Sequence, residues 1–203
     1  MFFKLCLLMA ALKTMEKWPN LYLGSRINTD IKKAEICKLA NKVRSTTAHG
    51  LEEKIDIDSI AKLGRFRPVY SRYLKNSTIW ALLIGLDNDA FQIALQPNKT
   101  EEAGQIRRYL MAHEIAHSFG YVRRQGERPR RFFNGPNIFW EERFCEEFAR
   151  QLLVPREAIP NFKNAEEISR HFDVTRQLAR LAISAKPMVK QTSNGYEYVM
   201  DLS

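Results

Sequence analysis

The chain has only four histidines in 203 residues, and two of them, His113 and His117, stand four apart with a glutamate directly after the first. The run His113-Glu114-Ile115-Ala116-His117 reads H-E-x-x-H. On a helix each residue advances about 100°, so the two imidazoles lie about 40° apart, one turn above the other. Two ring nitrogens held that way by one rigid element can share a metal ion, and Glu114 can reach a water beside it. This layout suits zinc-assisted hydrolysis, with Glu114 as general base. An amphipathic helix whose histidines merely pack would show the same spacing. The metal reading therefore requires a helix across the motif and a third ligand. His49 and His171 are isolated and read as surface or structural residues.

The helix is signalled locally. Thr100-Glu101-Glu102 places acids where a first turn favours them, and Ile106, Tyr109, Leu110, Ala112, Ala116 and Phe119 supply an apolar surface before Gly120 ends the run. Upstream, Ile31, Ala34, Ile36, Leu39, Ala40 and Val43 recur at steps of three and four, which predicts another helix capped by Thr29 or Asp30. A short helix capped by Asp58 or Ser59 should end at Gly64. Residues 68–95 read as sheet. Thr78–Ile84 is β-rich and expected to be largely buried, Asp87-Asn88-Asp89 makes a turn, and Phe91–Leu95 alternates as a half-exposed strand. That last strand leads towards the motif helix, so an open strand edge near the metal could receive an extended peptide.

A second helix is predicted over Glu141–Pro155, after a basic loop carrying Arg123, Arg124, Arg128, Arg130 and Arg131. Catalytic zinc takes three protein ligands and keeps one position open, and a following helix often supplies the third as a carboxylate. Glu141, Glu142, Glu146 and Glu147 compete for that role. Glu142 and Glu146 share a face at i and i+4 with Cys145 between them, and Cys145, Phe148 and Leu152 form the adjacent core stripe.

Together the two segments resemble the ImmA/IrrE family of metallo-endopeptidases. That family's first motif is H-E-[LIF]-[GA]-H, and its second is E-x-x-A-N-x-F-A-x-x-L-L-x-P. The chain follows the second at Glu142, Phe148, Ala149, Leu152, Leu153 and Pro155, and departs from it at Cys145 for the Ala and Glu146 for the Asn. The resemblance spans about Ile31 to Pro155. It implies that His113, His117 and Glu142 ligate one zinc ion, that Glu114 is the catalytic base, and that the substrate is a protein such as a helix-turn-helix repressor. Glu146, one turn beyond Glu142, is placed to orient a ligand imidazole through its free N–H. Cys145 reads as a packing residue rather than a ligand. Tyr121 and Arg123 are oxyanion-stabilising candidates by position alone.

The remainder sets the context. After Pro160, residues 165–181 read as two helices joined at Phe172-Asp173-Val174, with Thr175 capping the second. Arg176, Gln177 and Arg180 could face a DNA groove, and Ser193-Asn194-Gly195 predicts a hairpin wing. A net charge of +9 permits nucleic-acid contact without establishing it. The three cysteines, Cys6, Cys37 and Cys145, show no pairing pattern, which suits a reducing, cytoplasmic setting. Residues 1–12 resemble a signal-peptide core but are too short to span a bilayer, and Met15 is an alternative start. The expected architecture is α+β: a zincin-like minimal metallopeptidase with a small mixed sheet on the H-E-x-x-H helix. Its expected parts are an N-terminal segment at 1–20, a zinc metallopeptidase domain at 21–160, and a helix-turn-helix-like, winged region at 161–203. The competing reading is a DNA-binding or adaptor regulator that keeps a metal site without turnover.

Overall fold

A computed structural model describes residues 33–75, 77–97, 104–122, 127–131, 138–184, 189–192 and 195–198. The N-terminal segment, the proposed Thr29 and Asp30 caps, Thr100–Glu102, Arg123 and Arg124 lie outside these residues. The described part is α+β, with six α-helices and a small mixed three-stranded sheet.

Helix α1 (Lys33–Arg44) buries Ile36, Leu39, Ala40 and Val43 on one stripe, the pattern its spacing predicts. Helix α2 (Ile57–Leu63) ends at Gly64 as expected, but its cap is Asp56, whose side chain accepts from the backbone N–H of Asp58 and Ser59. A carboxylate ahead of the first helical residue reaches the unpaired N–H groups of that turn. Asp58 and Ser59 already lie within the turn and carry those groups.

The sheet order corrects two expectations. Strands β1 (Phe66–Tyr70), β2 (Ala81–Leu86) and β3 (Ala90–Leu95) lie in the order β1-β3-β2, with β1 parallel and β2 antiparallel to β3. Phe91, Ile93, Ala94 and Leu95 are therefore buried in a central strand rather than half exposed. The 78–84 stretch is not largely buried: Ile79 is 49% and Leu82 45% exposed, and the strand begins only at Ala81. Alternation along one strand cannot reveal which strand ends up in the middle. The turn at 87–89 is as predicted, with Asn88 and Asp89 in the left-handed region at φ 59° and 56°. Beside it, Glu127 O accepts from Asp89 N at 2.8 Å and Arg128 Nε donates to Gly85 O at 2.7 Å. A Cβ at Gly85 would stand 2.8 Å from Pro129 O, so only glycine lets this segment lie against β2.

Helix α3 (Gly104–His117) continues as a 3₁₀ turn to Gly120 and packs on the sheet, closest to β2. Strands β4 (Tyr121–Val122) and β5 (Arg130–Arg131) pair next to it. Helix α4 (Ile138–Leu153) starts three residues before the predicted Glu141 and packs between α3 and α1. Phe144, Cys145, Phe148, Ala149, Leu152 and Leu153 are buried along it. Helices α5 (Ala165–Phe172) and α6 (Arg176–Ser184) form the predicted pair, joined through Asp173 at φ 54°, and Thr175 Oγ1 accepts from Leu178 N as the expected cap. Ile168, Phe172, Val174 and Leu178 belong to the same apolar cluster as α1–α4. A hairpin of β6 (Val189–Thr192) and β7 (Gly195–Tyr198) runs beside α4.

Two arginines tie these layers together from inside. Arg44 is 1% exposed and donates to Leu152 O at 2.8 Å and Leu51 O at 3.1 Å. Burial lowers its guanidinium to about 10. Arg108, on α3, donates to Asp173 O, Ile55 O and Phe172 O at 3.1–3.2 Å and so fastens the α5–α6 turn to the motif helix. Arg108→Ala would leave those carbonyls short of a charged donor. It is expected to lower stability by about 2–4 kcal/mol, read as a lower urea midpoint with unchanged slope.

Candidate metal centre

Helices α3 and α4 meet along two polar stripes inside an otherwise apolar interface. On α3, Tyr109, His113 and His117 recur every four residues and line one face. On α4, Glu141 and Cys145 stand four apart, as do Glu142 and Glu146, and the two pairs lie side by side. Tyr109 meets Glu146, His113 meets Glu142 and Glu146, and His117 meets Glu141, so the helices run in opposite directions.

At the centre, His113 Nε2 and His117 Nε2 are 3.1 Å apart. Glu142 reaches both, with Oε2 at 3.2 Å from His113 Nε2 and Oε1 at 3.6 Å from His117 Nε2. Tetrahedral zinc with bonds of about 2.0–2.1 Å separates its donors by about 3.3–3.4 Å. The observed spacings bracket that value. The outer ring nitrogens face other carboxylates: His117 Nδ1 lies 2.8 Å from Glu141 Oε1, and His113 Nδ1 lies 3.3 Å from Glu146 Oε1. A ring that gives its Nδ1 proton to a carboxylate presents a lone pair at Nε2. Two such lone pairs and a carboxylate aimed at one point repel unless a cation sits among them. The donor set therefore fits a metal ion.

The titration of these groups has the same cause. Burial alone would lower His113, but hydrogen bonds and charge from Glu142 and Glu146 outweigh it and hold the imidazole well above its ordinary value. His117 is raised likewise, with burial opposed by Glu141, Glu142 and Glu114. Glu114 is 6% exposed, and burial raises it against the pull of both histidines. Leu83 donates its backbone N–H to Glu114. The strand edge beside the base is therefore β2, not the Phe91–Leu95 strand, which is enclosed between β1 and β2.

Cys145 is fully buried, and its thiol lies within 4.8 Å of a ring nitrogen of each histidine, so His113, His117 and Cys145 also form a group able to hold a metal ion. Burial pushes the thiol well above its usual range, and the charges of Glu142, Glu141, Glu114 and Glu146 push it further. It must lose that proton before it can ligate.

Of the other sequence candidates, Tyr121 packs its ring edge-to-face on Phe91 at 5.3 Å, and Arg123 is outside the described residues. Arg176 is exposed and paired with Glu166; Arg180 is exposed and Gln177 half-buried, all on α6. His49 is exposed, and His171 packs on Phe162 and Phe172. The sequence points to Glu141 only as one of four competing glutamates and to Tyr109 only as apolar surface, not to their contacts with His117 and Glu146. Tyr109 stands one turn before His113, so helical spacing could have flagged it. Glu141 is set by how the two helices cross. Comparison with protein families, curated proteins and solved structures found no match to this chain. Among the described residues, no helix is long and apolar enough to cross a membrane.

His113, His117 and Glu114 all hold a proton more tightly folded than unfolded, so the metal-free protein should lose stability as pH rises. The histidine contribution is complete below the ordinary value of 6.5 and disappears as pH climbs through the raised folded values. The glutamate contribution is complete below 4.5 and is lost in the same direction. In EDTA-treated protein the urea midpoint should fall as pH rises above the ordinary histidine value of 6.5. A midpoint that climbs there would contradict the assignment.

Proposed function

We propose that the chain is a zinc-dependent endopeptidase of the ImmA/IrrE kind, with a zincin-like arrangement in which His113, His117 and Glu142 hold the metal and Glu114 is the general base. The observation that carries this reading is the meeting of two Nε2 atoms and one carboxylate at 3.1–3.6 Å, with a buried glutamate on the same helix. Both segments of the family resemblance supply residues to that point. Zinc, when bound, would polarise the scissile carbonyl and acidify the attacking water. Glu114 accepts the proton of that water and returns it to the leaving amine. An extended peptide added at the outer edge of β2, short of Gly85 where the 127–129 segment already lies, would pass beside Glu114.

Glu142 is preferred to Cys145 as the third ligand because it contacts both Nε2 atoms and leaves the fourth position open for water, as a catalytic site requires. By the resemblance, the substrate is a protein, a DNA-binding repressor among the class to test first. The free Cys37 and Cys145 suit a reducing, cytoplasmic setting. The second reading, a DNA-binding regulator that keeps the metal without turnover, draws on the exposed Arg176 and Arg180 of α6.

Three variants separate these readings. Glu142→Ala should lose stoichiometric zinc, Cys145→Ala should keep it, and Glu114→Gln should keep zinc while losing peptide hydrolysis by at least about 100-fold. Zinc lost with Cys145→Ala instead would move the ligand set to His113, His117 and Cys145. Full activity in a zinc-loaded Glu114→Gln would end the peptidase reading. A salt-sensitive DNA mobility shift abolished by Arg176→Ala would then favour the regulator.

A further inference from the structure

Helix α4 presents three carboxylates to the two imidazoles, and only the middle one faces both Nε2 atoms. Glu141 precedes it and meets His117 Nδ1 at 2.8 Å; Glu146 follows it by one turn and stands 3.3 Å from His113 Nδ1. Both outer glutamates are buried, at 9% and 2% exposure. Glu146 is itself held by a hydrogen bond that Tyr109 OH donates to its other oxygen. His113 Nδ1 is buried and makes no well-angled hydrogen bond in this arrangement. Glu146 Oε1, at 3.3 Å, is the carboxylate oxygen it faces.

We infer that Glu141 and Glu146 are a positioning pair, each locking one imidazole with its proton on Nδ1 so that both Nε2 atoms point at the metal, and that Tyr109 sets the Glu146 arm. This rests on the ligand reading under Proposed function and adds to it the residues that orient those ligands. A carboxylate can only accept, so it leaves the ring one tautomer. An amide, such as the Asn of the resembled motif at position 146, can donate as well as accept and imposes no such choice. The accepted proton also makes the opposite nitrogen a stronger ligand. Glu147, on the same helix and equally buried, is different: it pairs with Arg150 and with Lys33 at 3.6 Å. It serves as an internal control.

The test uses the full chain, with zinc affinity measured by competition against a chelator and centre geometry read from the visible absorption of the cobalt-loaded protein. Glu141→Gln and Glu146→Gln should each weaken zinc about 10- to 100-fold and shift the cobalt bands, with melting temperatures showing that both remain folded. Tyr109→Phe should give a smaller loss in the same direction. Glu141→Asp should recover part of what Glu141→Ala loses, and Glu147→Gln should bind zinc like the wild type. If Glu142→Ala loses zinc while both outer glutamine variants match the wild type in affinity and spectrum, the positioning role is wrong and the ligand assignment stands. If Glu142→Ala binds zinc as the wild type does, the ligand assignment itself falls, and this inference with it.

Discussion

The structure turns on one constraint: the largely buried interface between α3 and α4 contains a tyrosine, two histidines and three glutamates. Polar groups removed from water must find partners, and charged ones must find opposite charge, or each costs several kcal/mol. Here the stripes are in register, so that the groups face one another in pairs. Tyr109 meets Glu146, Glu146 meets His113, and Glu141 meets His117. At the centre the two Nε2 atoms and Glu142 share one point, which calls for a positive charge from a proton or a metal ion. That need keeps both imidazoles raised.

Much of the surrounding fold encloses this interface. The sheet covers α3 on the side of Leu83, α1 covers α4, and Phe144 packs edge-on and Phe148 at a tilt against Phe119, just past the C-terminal end of the motif helix. Arg108 binds the α5–α6 turn to the motif helix, and Arg44 binds the end of α1 to the end of α4 through Leu152 O. Both arginines donate to carbonyls beyond or at the end of helices, where acceptors lack intrahelical partners and a cation is favoured. The helix pair shares its core with the rest. A force on that turn would therefore be felt at α3.

The elements that local pattern governs are legible in the sequence. The buried stripe of α1, the turn at 87–89, the H-E-x-x-H helix, the Cys145–Phe148–Leu152 stripe of α4 and the Thr175 cap depend on neighbours within a few residues. For the same reason the sequence could show that His113 and His117 share a face and that Glu142 and Glu146 do. It could not show which strand is central, because Phe91–Leu95 and the 78–84 stretch are both β-rich and only the pairing order distinguishes them. Nor could it show that Asp56, rather than a residue inside the turn, caps α2.

The sequence by itself determined the chemistry within reach: two imidazoles one turn apart, a glutamate beside them, and a second helix rich in carboxylates. Tertiary structure decided how those carboxylates divide their work. Glu142 reaches Nε2 while Glu141 and Glu146 reach Nδ1, and residues adjacent in sequence point about 100° apart on a helix. Which of them faces which nitrogen is set by the direction and offset at which α4 crosses α3. That offset comes from apolar packing along both helices, contributed by residues far apart in the chain, and no stretch of sequence carries it alone.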